Sequence, residues 1–129
     1  MAIRFFGGFN TVWMVVMFDL PMVSPYEKKR YAQFRKVLLR DGFSMLQFSV
    51  YGRHCPSEEN AEVHEKRVVS ALPPEGNVRI IKVTEKQFAR MKTFYGKKRR
   101  KTEEPPLQLS FFLSLGSGNS MHLNHLRLI

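Results

Sequence analysis

The sequence predicts an α+β domain whose elements follow the order β-α-β-β-α-β. An unbroken apolar run comes first, two later segments begin with helix N-cap signals, and short stretches rich in β-branched and aromatic residues lie between and after them. This order is the ferredoxin-like arrangement, in which an antiparallel sheet carries both helices on one face. We therefore expect a ferredoxin-like core, followed by one extra C-terminal strand.

The first strand is predicted from the apolar run Val12–Phe18, which Asp19 and Pro21 bring to an end. Such a run, bounded by proline, is typical of a central strand buried on both faces. The strand would present Asp19 at its C-terminal end, a place where α/β-type folds often bind ligands. The alternative is that Asp19 bonds backbone amides in a proline turn. Asp19 is one of only two aspartates in the chain.

The first helix begins at a capping box in which Ser24 is the N-cap, Pro25 the first helical residue and Glu27 the reciprocal partner. Its buried stripe is predicted at helical spacing, and Asp41-Gly42 ends it with the glycine in the left-handed conformation. The stripe consists of Tyr31, Phe34 and Leu38.

Two short strands, Ser44–Leu46 and Ser49–Arg53, are predicted next, because the apolar alternation changes phase between them. That change indicates either a β-bulge or a tight hairpin. Ser57 then caps a second helix, which the proline pair at 73–74 breaks. Its buried face is predicted to hold Ala61, Glu65, Val68 and Leu72, with His64 in solvent and His54 at the rim of the sheet.

The C-terminal part is predicted to contain a strand over Asn77–Val83 and a short helical turn over Glu85–Met91, capped by Thr84 and Gln87. A basic and proline-containing linker follows at 96–106, and residues 107–113 alternate like a half-buried strand. This strand either returns to its own sheet or completes the sheet of a second copy. We favour the second copy, which would lock a two-fold homodimer.

The predicted organisation is therefore a leader at 1–10, a ferredoxin-like domain at 11–95, the linker at 96–106, the dimer-completing strand at 107–113 and a tail at 114–129. Twenty-one Lys and Arg against 11 Asp and Glu give a formal charge of +10, which favours a nucleic-acid partner. A single cysteine, Cys55, excludes an internal disulfide and indicates a reducing cytoplasm. We expect no export signal and no membrane span.

Asp19 is the candidate catalytic and metal-binding residue. Mg²⁺ is held by one or two carboxylates together with waters and phosphate oxygens, so two copies of Asp19 facing each other across a two-fold axis would supply such a pair. With nucleic-acid phosphate present, the expected chemistry is phosphodiester hydrolysis by a metal-activated water. The basic run is either a solvated linker or a set of phosphate contacts. It comprises Lys97, Lys98, Arg99, Arg100 and Lys101.

Three motifs in order, VVMFDLP, EKKRYAQFRKVLLRDGF and LQFSVYGR, resemble the CRISPR-associated Cas-two family from about Val12 to Leu113. The resemblance implies a homodimer that bridges two dimers of the Cas-one integrase and holds duplex DNA during spacer acquisition. It also implies, for some members, a metal-dependent endonuclease acting on single-stranded RNA or DNA, with Mg²⁺ or Mn²⁺ held by Asp19 of both protomers. Other members act chiefly as scaffolds. Arg30, Arg35 and Arg53 match basic positions that contact nucleic acid.

Two other hypotheses about the function stay open. One is a nucleic-acid-binding module on the same fold, although the R/K-G-F/Y-G/A-F-V-x-F/Y strand of RNA-recognition domains is not found. The other is a toxin-like ribonuclease on a related scaffold. Neither would take part in spacer acquisition.

Overall fold

A computed structural model describes residues 11–106, and these form a four-stranded antiparallel sheet in the order β2-β3-β1-β4. This topology confirms the predicted ferredoxin-like fold and the central position of the first strand. Strand β1 pairs with β3 on one side and with β4 on the other, in both cases antiparallel. The four strands are β1 (Val12–Asp19), β2 (Ser44–Gln47), β3 (Val50–Cys55) and β4 (Asn77–Thr84).

Helices α1 (Pro25–Arg40) and α2 (Glu58–Ser70) cover one face of the sheet. Alternate residues of β1 pack beneath them, because successive side chains of a strand point to opposite faces. The capping box of α1 is confirmed, with the Glu27 amide donating to Ser24 Oγ over 3.1 Å. The capping box thus determines where α1 begins, and the buried residues determine which side of each helix lies on the sheet. The core includes Val12, Met14, Val16 and Phe18 of β1, Tyr31, Phe34 and Leu38 of α1, and Ala61 and Val68 of α2.

The hairpin between β2 and β3 contains both features that the change of phase indicated, a β-bulge and a tight turn. The pairing register shifts between Met45 and Gln47, which is the bulge, and a tight turn follows at 48–49. Ser49 has φ of 63°, in the left-handed region that non-glycine residues rarely adopt. The bulge brings Leu46 over Gly52, where a β-carbon would stand 3.0 Å from the Leu46 side chain.

The buried face of α2 differs from the predicted one. Ala61 and Val68 are buried as expected, but the third buried residue is His64, with 5% of its surface exposed. The prediction that His64 lies in solvent is therefore wrong, and so is the burial predicted for Leu72, which is 43% exposed. His64 turns inward because a carboxylate from the end of α1 accepts a hydrogen bond from its ring.

The C-terminal part contains a short helix α3 (Glu85–Ala89), whose Thr84–Gln87 capping box is confirmed. Beyond it, β5 (Thr93–Tyr95) and β6 (Lys98–Arg100) form a separate two-stranded hairpin. The sequence predicted a linker at 96–106, and the strand β6 within it is a difference. Gly96, with φ of 62°, makes the two-residue turn that closes this hairpin.

The predicted leader at 1–10, the strand at 107–113 and the tail at 114–129 lie outside the residues that the structure describes. Within the described part, 11–106, no helix is long and apolar enough to cross a membrane.

Candidate functional site

The face of the sheet opposite the helices carries the other half of β1, and we call it the open face. Trp13, Val15, Met17 and Asp19 share this face by strand alternation. Phe88 of α3 stacks on Trp13 with ring centroids 4.0 Å apart, so only one end of the face is covered. Val15 and Met17 are half-buried, and the strand is therefore not fully buried on both faces as predicted. Their neighbour Ile81 on β4 is 48% exposed.

Asp19 ends β1 at the uncovered end of the open face. Its backbone pairs with Asn77 of β4, while its side chain is exposed. Among residues 11–106 its carboxylate has no hydrogen-bond or ion-pair partner, so the turn-bonding alternative has no support in the described structure. The oxygens of this carboxylate are thus available to a ligand.

The backbone around Asp19 is held on both sides. The Phe18 amide donates to the Ser49 carbonyl over 3.0 Å, and the Ser49 hydroxyl shares a 2.8 Å hydrogen bond with Tyr31 of α1. On the other side Gly76 has φ of 95° and passes so close that a β-carbon there would stand 2.7 Å from the Asp19 carbonyl oxygen. The acid is therefore an exposed group on a fixed backbone.

Among residues 11–106, Asp19 is the carboxylate at the end of β1. In the part of the chain that the structure describes, no three His, Cys, Asp or Glu side chains are grouped so that they could hold a metal ion. A metal at Asp19 would need further ligands from a second chain, from a bound phosphate or from water.

Arg30 lies on α1 beside the end of β1. Its guanidinium stands 5.4 Å from the centre of the Tyr26 ring, within cation–π range, and its Nε is buried without a hydrogen-bond partner among the described residues. Both side chains line a shallow groove with Leu20, Pro21 and the Pro73–Glu75 segment. Of the three arginines matched by resemblance, only Arg30 has no hydrogen bond to another residue within 11–106.

Arg35 and Arg53 both have partners inside the protein. Arg35 Nε donates to the hydroxyl of buried Tyr51 over 2.7 Å. Arg53 lies on the helix-covered side of the sheet, and its Nη1 donates to the Asp41 carbonyl over 2.9 Å. Their predicted role in nucleic-acid contact stays a prediction, and these bonds give each a structural role as well.

The basic run forms the turn and second strand of the β5–β6 hairpin. Lys97 lies in the turn, and Lys98, Arg99 and Arg100 pair with Tyr95, Phe94 and Thr93. All four basic side chains are exposed. The fifth residue of the run, Lys101, is bonded to Glu104 at 2.7 Å, and that bond raises the pKa of the lysine.

A buried polar cluster between the two helices was not predicted from the sequence. Asp41 Oδ2 accepts from His64 Nδ1 over 2.7 Å, and Oδ1 accepts from Arg67 over 2.8 Å. The only sequence signal was the second aspartate, at the C-terminal end of α1, where a negative charge is unfavourable unless cations offset it. The cluster joins α1 to α2, and we assign it a structural role.

A second cluster of polar side chains lies at the Trp13 end of the open face. His54 Nε2 lies 3.0 Å from Glu85 Oε1, and the Thr11 hydroxyl donates to the same oxygen over 3.2 Å. The His54 ring packs edge-on against Trp13. His54 is only 11% exposed, so it lies under the rim rather than on it.

Together, the fold and the site define a small basic protein of the ferredoxin-like class, with an exposed acid at the end of its central strand. A family model described as CRISPR associated protein Cas2 matches residues 12–91. The chain belongs to this family, as the resemblance in the sequence implied.

Several curated relatives support the same assignment. The chain is similar to a protein of Parvibaculum lavamentivorans named CRISPR-associated endoribonuclease Cas2, with 52% identity over 78% of this chain and 100% of the relative. A protein of the same name from Flavobacterium psychrophilum is 49% identical over 81% of this chain and 90% of the relative. A third, from Acidovorax ebreus, is 51% identical over 64% of this chain and 81% of the relative.

Proposed function

We propose that this chain is the subunit of a homodimeric, metal-dependent endonuclease and DNA-binding adaptor that serves CRISPR spacer acquisition. The observation that carries the proposal is the exposed Asp19 carboxylate at the end of the central strand, which has no partner within residues 11–106. Family membership and the word endoribonuclease in the names of the relatives support a nuclease activity and make single-stranded RNA its first candidate substrate.

Asp19 is the residue that would hold Mg²⁺ or Mn²⁺. A hard divalent cation prefers carboxylate, water and phosphate oxygens, and the Asp19 side chain offers oxygens not engaged elsewhere in residues 11–106. When bound, such a cation activates a water for attack on a phosphodiester and stabilises the charge that develops. The fixed backbone at 18–19 positions the acid for this role.

A second copy of the chain would complete the site. The open face carries half-buried Val15 and Met17 and exposed Ile81, with Arg79 opposite Met17, and its apolar residues favour burial against another surface. If two open faces pack about a two-fold axis near the ends of the β1 strands, the two Asp19 residues face each other. A strand exchanged between the protomers, predicted at 107–113, would strengthen the same dimer.

The adaptor part of the proposal rests on charge. The +10 formal charge and the exposed cations at 97–100 suit the phosphates of duplex DNA. Arg30, beside the end of β1, is the best placed of the three arginines for an additional contact. The Cas-one integrase is the protein partner that this role requires.

Asp19→Asn tests the nuclease proposal, with Glu62→Gln on the exposed side of α2 as the matched control. We expect the Asp19 variant to lose at least about a hundredfold in Mg²⁺-dependent cleavage of labelled single-stranded RNA or duplex DNA, since metal activation contributes several kcal/mol to such reactions. The control keeps wild-type cleavage. Undiminished cleavage by pure Asp19→Asn protein contradicts the metal role.

Mixed dimers test whether both acids are needed. Wild-type and Asp19→Asn chains, refolded together in equal amounts, retain about a quarter of the wild-type activity if every dimer needs two acids, against about half if each acid works alone. The dimer itself is checked by light scattering. A protein that stays monomeric contradicts the shared site.

A scaffold without cleavage is the second candidate. It is favoured by the single carboxylate that each chain offers among the described residues, where no larger metal-binding group is found. The scaffold is supported if the wild-type and Asp19→Asn dimers bind duplex DNA and the Cas-one integrase equally tightly. Neither dimer should then cleave RNA or DNA. A chain that binds RNA but does not bind the integrase would instead favour the nucleic-acid-binding module. One that cleaves RNA but does not bind the integrase would favour the toxin-like ribonuclease.

A further inference from the structure

The β5–β6 hairpin presents one aromatic ring between two cations on a single face. Tyr95 pairs with Lys98 and Thr93 with Arg100, and residues directly opposite in an antiparallel pair point to the same side. Phe94 and Arg99, the intervening pair, point to the other side. The Arg100 guanidinium lies 6.0 Å from the centre of the Tyr95 ring, as this shared face requires.

The Tyr95 ring does not serve the core of the protein. It is 75% exposed, and the hairpin stands outside the four-stranded sheet. A distance of 6.0 Å is the outer limit of a cation–π contact, so Arg100 holds the ring only loosely. The base of the hairpin, in contrast, is tied down, because the Thr102 hydroxyl donates to the Met91 carbonyl over 2.6 Å.

We infer that this face binds a single-stranded segment of nucleic acid, with one base stacked on Tyr95 and the adjacent phosphates on Lys98 and Arg100. Aromatic rings interleaved with cations are the two components that single-strand binding requires. A duplex offers phosphates alone, because its bases are already stacked and paired. The inference rests on the proposed function, and it gives that nuclease or adaptor an unpaired substrate segment at the hairpin.

The charges around the ring favour this occupant over a protein partner. Three of the cations on the hairpin, Lys98, Arg99 and Arg100, have no ion-pair partner among residues 11–106. A polyanion of regular spacing satisfies several such cations at once and releases its own counterions. Cleavage is not needed for this binding, so binding and catalysis are tested separately.

Fluorescence anisotropy in EDTA, on the Asp19→Asn protein, measures binding without cleavage. The probes are a labelled oligo-dT, an abasic strand with the same number of phosphates, and an oligo-dA·oligo-dT duplex. We expect Tyr95→Ser to weaken oligo-dT binding roughly five- to hundredfold, the usual loss for one stacked base, and to leave the abasic strand and the duplex unchanged. Tyr95→Phe keeps the affinity, since it keeps the ring.

Two matched variants make the test specific. Phe94→Ser removes the exposed aromatic on the opposite face and keeps the affinity for oligo-dT. Lys98→Ala lowers the salt slope of single-strand binding by roughly 0.7, whereas Lys66→Ala, an equal loss of charge on α2, leaves it unchanged. Circular dichroism confirms that each variant folds.

The outcomes separate this inference from the proposed function. Wild-type protein that binds oligo-dT no better than the abasic strand contradicts the stacking site, and this comparison requires no variant. Equal losses for Tyr95→Ser and Phe94→Ser also contradict it. Protein that binds none of the three probes contradicts the proposed nucleic-acid function together with the inference.

Discussion

The two aspartates of this chain should respond in opposite ways to the same substitution. Asp41→Ala removes a carboxylate that is 9% exposed and accepts from both His64 and Arg67. Asp19→Ala removes an exposed carboxylate that has no partner among the described residues. We expect Asp41→Ala to lower the free energy of unfolding by about 2 kcal/mol, and Asp19→Ala to change it by less than about 0.5 kcal/mol.

The magnitude for Asp41 follows from its partners. The His64 side chain is 7% exposed, and a buried ring nitrogen left without its acceptor costs about 1–3 kcal/mol. Arg67 is 60% exposed, so water screens its ion pair and the loss there is at most about 1 kcal/mol. Removing a negative charge from the C-terminal end of α1 returns roughly 0.3–1 kcal/mol. The sum is a net loss of about 2 kcal/mol.

Urea unfolding followed by circular dichroism measures both variants, at one protomer concentration because a dimer's stability depends on concentration. Asp41→Asn refines the test, since its amide oxygen still accepts from His64 and its loss should be about half that of the alanine variant. A double-mutant cycle of Asp41→Ala with His64→Ala should give a coupling of 0.5 kcal/mol or more, the order usual for residues in contact. Equal stability losses at Asp19 and Asp41 would refute the reasoning.

The remaining predictions concern Gly42, Cys55 and Arg53. Gly42→Ala should destabilise the protein by about 2 kcal/mol, because φ is 87° and the new β-carbon would meet the Arg53 guanidinium. Gly96→Ala should cost only about 1 kcal/mol, because φ is 62° and the space around the new β-carbon is open. Burial raises the pKa of the Cys55 thiol above its ordinary 9.0, so the unfolded chain ionises first. Its stabilising contribution is therefore complete below pH 9 and is lost as the pH rises through the folded pKa, and thiol labelling should require unfolding. Arg53→Gln, which removes the positive charge, should lower stability yet leave the salt slope of duplex binding unchanged; a slope smaller by roughly 0.9 would assign Arg53 to a phosphate.

Features decided within a few residues could be predicted from the sequence. The capping boxes at Ser24 and Thr84 depend on side chains three residues from their partners, and both form as expected. The central strand was equally readable, because a long apolar run has few other places in a small α+β domain. The bulge and the turn between β2 and β3 appeared in the sequence as a change of phase, although the sequence did not show that both are present.

Features that depend on residues distant in sequence could not be predicted. His64 lies among glutamates on α2, and nothing local shows that Asp41, 23 residues earlier, comes to meet it. The β5–β6 hairpin was missed because its second strand, Lys98–Arg100, is entirely basic and shows no apolar alternation. Its turn at Gly96 was the available signal.

The candidate site could likewise be predicted only in part from the sequence. The placement of Asp19 at the end of the central strand followed from sequence, and the structure adds that its carboxylate lies on the open face. For the arginines, charge could be predicted from the sequence but contacts could not. Arg35 and Arg53 each bond a group of their own chain, which lowers the number of cations free for phosphate.

The contrast between the two aspartates is the strongest physical argument for function in this chain. A carboxylate at a helix C-terminus is unfavourable, and the fold offsets that of Asp41 with hydrogen bonds from His64 and Arg67. No such offset surrounds Asp19 in residues 11–106, although the backbone on both sides of it is fixed by hydrogen bonds and by Gly76. An acid required only for folding would be expected to have partners of the first kind. A solvent-facing acid on a fixed backbone, without a partner in residues 11–106, is accounted for by the ligand proposed above, a divalent cation shared with a second chain.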